Sequence, residues 1–139
     1  MTALNVLVIE DDAMIGILLA EMLEEMGYNV CSIASTEEDA VADAARFRPG
    51  LMIVDEHLRE GSGVSAVERI RRERYVPCVF ISGASVQVAG PGRIVLQKPF
   101  LEADLVRAIH YVVGCVEIPP APMCLSADIA QVSKQNIQA

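Results

Sequence analysis

The sequence has no tryptophan, few aromatic residues and few bases. Aromatic residues make up 4% of its 139 residues, and 11 Lys and Arg stand against 19 Asp and Glu, for a net charge of −8. A nucleic-acid interface needs clustered bases to neutralise phosphates, so this balance argues against nucleic acid as the main partner. No apolar run reaches the roughly 18 residues of a membrane helix, so we expect no membrane span.

Two further absences bear on the compartment. The opening stretch MTALNVLVIEDD has no basic segment before its apolar residues, unlike a secretion signal. The cysteines lack the C-x-x-C spacing of metal sites, and we expect reduced thiols at all four positions: Cys31, Cys78, Cys115 and Cys124. These features predict a cytoplasmic protein.

Strand-like and helix-like segments alternate along the chain. Short apolar runs rich in β-branched residues predict strands at 4–9, 28–33, 51–54, 76–81 and 94–96. Apolar residues at helical spacing predict helices at 13–26, from the Ser35 region to 47, at 64–74 and at 101–113. Such alternation predicts an α/β fold, a doubly wound five-stranded parallel sheet with helices on both faces.

Local signals refine the helices. Asp12 is suited to cap the first helix, and Ser35 with Glu38 predicts a capping box at the second. The methionines at 14, 22 and 26 follow helical spacing and are predicted to fill the core.

Beyond the last helix the composition changes. Residues 116–139 contain Pro119, Pro120 and Pro122, which favour an extended segment. We therefore divide the chain into a domain at 1–115 and a proline-containing tail or arm at 116–139.

Polar side chains mark the ends of four predicted strands. Glu10 and Asp11 end the first strand, Asp55 the third, Ser82 the fourth, and Lys98 follows the fifth. Ligand chemistry in open parallel sheets gathers at the carboxyl ends of strands. Three clustered carboxylates repel one another unless a cation offsets them, and Mg²⁺ prefers such oxygen ligands. An aspartate can accept a phosphoryl group when cationic groups draw charge from it.

Four stretches, VLVIEDD, LMIVDEHL, VFISG and LQKPF, resemble the signatures of response-regulator receiver domains with a flavodoxin-like fold. The resemblance covers about residues 4–114. It implies that Asp55 is the phosphoacceptor, that Ser82 is the switching hydroxyl and that Lys98 is the essential lysine before a cis proline. It also implies that Glu10, Asp11, Asp55 and the backbone carbonyl of His57 bind Mg²⁺.

The sequence departs from that pattern in three places. Arg59 stands where the family usually has proline, and Val95 stands where it usually has an aromatic switch residue. The stretch from Ser82 to Lys98 is too short for a full crossover with a normal fourth helix. This resembles a stand-alone receiver subgroup whose fourth helix is reduced.

The favoured function is a single-domain response regulator that is phosphorylated by a sensor histidine kinase and is not an enzyme with a foreign substrate. Its output would pass through protein contacts, including a possible downstream relay protein and a possible homodimer through the last helix and tail. One alternative is a receiver-like interaction module that is not phosphorylated. Another is a flavodoxin-like binder of a phosphorylated cofactor, which the acids after the first strand disfavour because they repel phosphate.

Overall fold

The structure is a computed structural model that describes residues 4–83 and 93–114. Its strands are β1 Asn5–Ile9, β2 Asn29–Ala34, β3 Leu51–Asp55, β4 Cys78–Ser82 and β5 Arg93–Gln97. Its helices are α1 Ala13–Glu25, α2 Glu37–Phe47, α3 Gly63–Glu73 and α4 Glu102–Gly114. The predicted bounds differ from these by no more than two residues.

The five strands form one parallel sheet in the order β2-β1-β3-β4-β5. The three central strands are apolar on both faces, and every residue of Val6–Ile9 and Leu51–Val54 has no exposed surface. Such strands must be covered on both sides. The helices α2 and α3 pack on one face, and α1 and α4 pack on the other. The predicted doubly wound α/β fold is confirmed.

The link between β4 and β5 is short. It runs from Gly83 to residue 92, a length of 10 residues, of which 84–92 lie outside the described part of the chain. A parallel crossover that carries a full helix needs about a dozen residues or more. The four helices in the described ranges agree with the predicted reduced fourth helix. The predicted tail at 116–139 also lies outside those ranges.

Two local predictions were wrong. Thr36, not Ser35, caps α2, because the Thr36 side chain accepts a hydrogen bond from the Asp39 N–H. Met14 was predicted to fill the core but is 70% exposed, and Leu18 of the same apolar pattern is 54% exposed. The reason is that α1 covers the sheet with one narrow stripe, and its other apolar side chains face outward.

None of the helices in the described ranges is long and apolar enough to cross a membrane.

Helix α1 offers a matched test of the core. Leu23 has no exposed surface, whereas Leu18 on the same helix is 54% exposed. We expect Leu23→Ala to lower the free energy of unfolding by about 2–5 kcal/mol, because it removes buried carbon and leaves a cavity. Leu18→Ala should change it by less than about 0.5 kcal/mol. Urea denaturation measures both, and equal losses would contradict the assigned packing of α1.

Candidate functional site

Three carboxylates meet where β1 and β3 end. These strands are neighbours in register, with Ile9 beside Val54, so the residues that follow them emerge at one edge of the sheet. Carboxylate oxygens of Glu10, Asp11 and Asp55 lie within 4.8 Å of one another. The structure thus brings together the three acids that the sequence placed at the ends of two strands.

Asp12, the fourth acid in this part of the chain, has a structural role. Its side chain accepts hydrogen bonds from the N–H groups of Met14 and Ile15, so it caps α1 as predicted. Its own N–H donates to Glu10 Oε2 at 3.1 Å. This cap fixes the turn that points Glu10 and Asp11 toward Asp55.

Glu10 is the most buried of the three acids. The residue is 2% exposed, and its Oε1 accepts no hydrogen bond from the described residues. Burial raises the pKa of Glu10 to about 7, and the nearby Asp55 carboxylate adds to the rise. A buried carboxylate oxygen without a donor is suited to ligate a cation, because a cation offsets both the desolvation and the repulsion.

Asp55 is held from two sides. Its Oδ1 accepts a hydrogen bond from the His57 N–H at 3.0 Å, and Lys98 Nζ lies 3.6 Å from its Oδ2. The residue is 8% exposed, whereas the Lys98 side chain is 30% exposed. Asp55 is therefore nearly buried and faces a more exposed cation.

Lys98 and Ser82 are linked through the backbone. The Lys98 N–H donates to the Ser82 carbonyl oxygen at 2.8 Å, and the Lys98–Pro99 peptide bond is cis, as predicted. Ser82 follows Ile81, the register partner of Asp55 on the neighbouring strand, and is completely buried. Both residues thus lie at the same sheet edge as the acids.

The loop between β3 and α3 borders the site. His57 and Ser62 form an antiparallel backbone bridge, and the Gly63 N–H donates to the Glu56 carbonyl oxygen at 3.0 Å. A Cβ at Gly63 would lie 2.0 Å from the Asp55 carbonyl oxygen, so the loop can close this tightly only with glycine. The His57 side chain is exposed, whereas its backbone N–H donates to Asp55 Oδ1.

Sequence reasoning did not place two further residues beside the acids. Arg59 was noted as a departure from the family pattern, and its Nε lies 3.8 Å from Asp11 Oδ2 with an 80% exposed side chain. Glu56 is 4% exposed, and neither of its carboxylate oxygens accepts a hydrogen bond from the described residues. Its position directly after Asp55, the last residue of β3, did not by itself indicate that Glu56 is buried.

Gly63 provides a test of the loop geometry. We expect Gly63→Ala to lower the free energy of unfolding by about 1–3 kcal/mol, because the methyl group must push the Asp55 backbone aside. Gly114→Ala is the control, since a Cβ there meets nothing within 4 Å. Urea denaturation of both variants checks this, and a Gly63→Ala protein as stable as the parent would refute the close approach.

Curated relatives resemble this chain over most of its length. The Transcriptional regulatory protein PdtaR of Mycobacterium tuberculosis is 35% identical over 117 residues, which cover 79% of this chain and 57% of the relative. The Phyllosphere-induced regulator PhyR of Methylorubrum extorquens is 33% identical over 109 residues, which cover 74% of this chain and 41% of the relative. The chain thus spans about half the length of these relatives.

A solved structure shares the fold and the sequence family. The receiver domain of the Erythrobacter litoralis PhyR response regulator superposes with a TM-score of 0.71 at 26% identity, covering 88% of this chain and 97% of that one. Residues 6–110 match the profile of the response regulator receiver domain. The site geometry, the fold and these matches agree: the chain belongs to the response regulator receiver domain family.

Proposed function

We propose that this receiver accepts a phosphoryl group on Asp55 from a sensor histidine kinase and passes the signal on by protein contact. One observation carries the proposal. Asp55 sits within 4.8 Å of two further carboxylates, and its other side faces the ammonium group of Lys98 at 3.6 Å. A phosphoacceptor needs this combination of a metal-binding acid cluster and a fixed cation.

The acid cluster fits Mg²⁺. This ion takes oxygen ligands, keeps several waters and binds through one or two carboxylates together with phosphate oxygens. The residues that would hold it are Glu10, Asp11, Asp55 and the backbone carbonyl of His57. When bound, the ion would supply positive charge that offsets the acids and the phosphoryl oxygens. The unpartnered Oε1 of Glu10 supports this assignment.

The chain's own groups prepare the transfer. An Asp55 carboxylate oxygen attacks the phosphorus of the kinase phosphohistidine, a P–O bond forms, and the P–N bond breaks as the imidazole leaves with a proton. The His57 N–H holds Oδ1 in place, which leaves Oδ2 on the side of Lys98. Lys98 then pairs with a phosphoryl oxygen, and the Ser82 hydroxyl is our candidate for a second donor.

A non-phosphorylated interaction module is the competing function. Arg59 favours it, because its guanidinium already supplies positive charge near Asp11. Val95 also favours it, because this buried residue packs in the core and replaces the aromatic switch residue of the family pattern. The partly exposed Lys98 beside Asp55 favours phosphorylation.

We propose the cytoplasm as the site of action. Cys31 and Cys78 form no disulfide in the described part of the chain, which suits a reducing compartment. The sequence-based predictions of a single-domain regulator and of a dimer through the last helix and tail stay predictions.

Mass spectrometry tests the proposed chemistry. We expect the intact protein to gain one phosphoryl group in Mg²⁺ and acetyl phosphate, and Asp55→Asn to gain none, because the amide is a poor nucleophile. Chelation of the metal should abolish the gain. No gain from acetyl phosphate or from a phosphorylated histidine kinase would favour the interaction module instead.

The kinase must dock beside the acids to deliver its phosphoryl group, and exposed apolar side chains lie there. Three apolar side chains in the first half of α1 are 53–70% exposed: Met14, Ile17 and Leu18. The first of them follows Asp11 by three residues. Leu101, which follows Lys98 by three residues, is 71% exposed. Exposed apolar side chains in a cluster mark protein interaction surfaces. We therefore propose this end of α1 as the kinase-docking surface.

A charge placed on that surface should separate docking from chemistry. We expect Leu18→Asp to slow transfer from a phosphorylated histidine kinase by about tenfold or more, because an interface that loses an apolar contact and buries a charge loses over 1 kcal/mol. Transfer from acetyl phosphate should stay unchanged, since it needs no docking. Autoradiography with the kinase and intact mass with acetyl phosphate give the two rates. Equal slowing of both would place Leu18 in the fold rather than in the interface.

Output by protein contact has support from a relative. The anti-anti-sigma factor PhyR of Bartonella quintana has been solved in complex with the anti-sigma factor NepR, and it superposes with a TM-score of 0.54 at 33% identity. That match covers 56% of this chain and 33% of the relative. We propose a protein partner of the same general kind, because the net charge of −8 disfavours nucleic acid as the main partner.

A further inference from the structure

The side chain of Glu37, the first residue of α2, joins α2 to the loop beside the phosphoacceptor. Its Oε1 accepts a hydrogen bond from the Ser62 N–H at 3.0 Å. Its Oε2 accepts from Ser65 Oγ at 2.7 Å and from Arg69 Nη1 at 3.0 Å. We call these four residues, Glu37, Ser62, Ser65 and Arg69, the Glu37 clamp. The Glu37 carboxylate is therefore shared between the loop and α3.

The backbone adds to the same junction. The Glu37 N–H donates to the Glu60 carbonyl oxygen at 3.1 Å. Gly61, at φ +88°, lies so close that a Cβ there would be 2.4 Å from the Glu37 Cβ. The loop thus rests directly on the first turn of α2, and only glycine permits both the positive φ and the contact.

Two contacts made by the backbone connect the Glu37 clamp to Asp55, the proposed phosphoacceptor. Ser62, held by Glu37, pairs with His57 across the loop in a backbone bridge. The His57 N–H in turn donates to Asp55 Oδ1 at 3.0 Å. The orientation of the His57 peptide, and with it the direction of its carbonyl, depends on where Ser62 is held.

The clamp is built to stay formed at neutral pH. The Glu37 side chain is 15% exposed, and hydrogen bonds from Ser65, Arg69 and the Ser62 backbone hold the pKa of its carboxyl below the ordinary value. Hydrogen bonds to an ionised carboxylate are shorter and stronger than those between neutral groups. An ionised Glu37 can therefore keep the loop in one geometry.

We infer that Glu37 is a positioning residue that fixes the His57 carbonyl for metal binding at Asp55, an inference that rests on the proposed function. Glu37 touches none of the metal-binding or phosphoryl-accepting groups. It acts through Ser62 and the loop, as outer residues commonly orient the ligands of a metal site.

Glu38 is a matched control on the same helix turn. It pairs with Arg69 Nη1 at 2.7 Å, so it shares the α2–α3 ion pair, and its side chain is 79% exposed. No hydrogen bond joins the Glu38 side chain to the loop among the described residues. Removing the Glu38 side chain therefore weakens the contact between α2 and α3 but leaves the hydrogen bond from Ser62 to Glu37 intact.

The experiment compares Glu37→Ala, Glu38→Ala and the parent as full chains. Calorimetric titration with MgCl₂ suits a protein without tryptophan. We expect Glu37→Ala to weaken Mg²⁺ binding by about 10-fold or more, as loss of an outer positioning group does, and Glu38→Ala by less than about twofold. Amide hydrogen exchange of residues 57–63 in metal-free protein should rise in Glu37→Ala alone.

Equal Mg²⁺ affinities and equal exchange in the two variants would overturn the inference. If Glu37→Ala does not fold, Glu37→Gln takes its place, because its amide oxygen still accepts from Ser62 while its NH₂ cannot accept from Ser65 or Arg69. That variant should keep slow exchange at Ser62 and bind Mg²⁺ within about threefold of the parent. Weakening of Mg²⁺ binding by about 10-fold or more while exchange at Ser62 stays slow would also overturn the inference. A parent chain that neither binds Mg²⁺ nor takes a phosphoryl group would instead refute the proposed function, and the inference with it.

Discussion

Mutual repulsion among three carboxylates is the constraint around which this molecule is organised. Glu10, Asp11 and Asp55 lie within 4.8 Å of one another, in a place where burial raises the pKa of Glu10 to about 7. Such a cluster is unfavourable in a cation-free fold, because like charges repel and buried charges lose hydration. The protein tolerates it because a nearly fully buried sheet holds the strand ends in place. Lys98 and Arg59 offset part of the charge.

The same constraint explains the loop after β3. The proposed binding of a cation and a phosphoryl group requires a loop with a fixed position, yet loops are the least restrained parts of most folds. Here the loop is closed by the His57–Ser62 bridge and by the contact of Gly63 with the Asp55 backbone. The Glu37 carboxylate also holds it, because it accepts hydrogen bonds from the Ser62 N–H in the loop and from the Ser65 hydroxyl on α3.

The family of this chain is shown by the comparisons, whereas its function is proposed. The receiver profile covers residues 6–110, and the relatives extend to about twice the matched length. Phosphorylation of Asp55, metal binding and the identity of partners are proposals for this chain. They follow from the chemistry that its acid cluster, its lysine and its exposed apolar end of α1 can perform.

The sequence by itself predicted the element order, the sheet class and five candidate site residues at strand ends, whereas the sixth, His57, came from the resemblance to receiver domains. It could do so because buried parallel strands appear as apolar runs, and because polar residues that directly follow such runs must share one sheet edge. It could not show which side of α1 is buried, because apolar residues occur on both sides of that helix and contact with the sheet selects among them. Ser35 fitted a capping box in the sequence, but α2 begins one residue later and is capped by Thr36.

The tertiary structure alone decided the contacts between residues far apart in the chain. Glu37 is 25 residues from Ser62 and 32 from Arg69, so no local pattern marks it as more than a helix-starting acid. Arg59 was visible as a departure, but its approach to Asp11 depends on how the loop folds back over the sheet edge. Side-chain chemistry and periodicity are local and can be read along the chain, whereas these pairings exist only once the sheet has brought separate segments together.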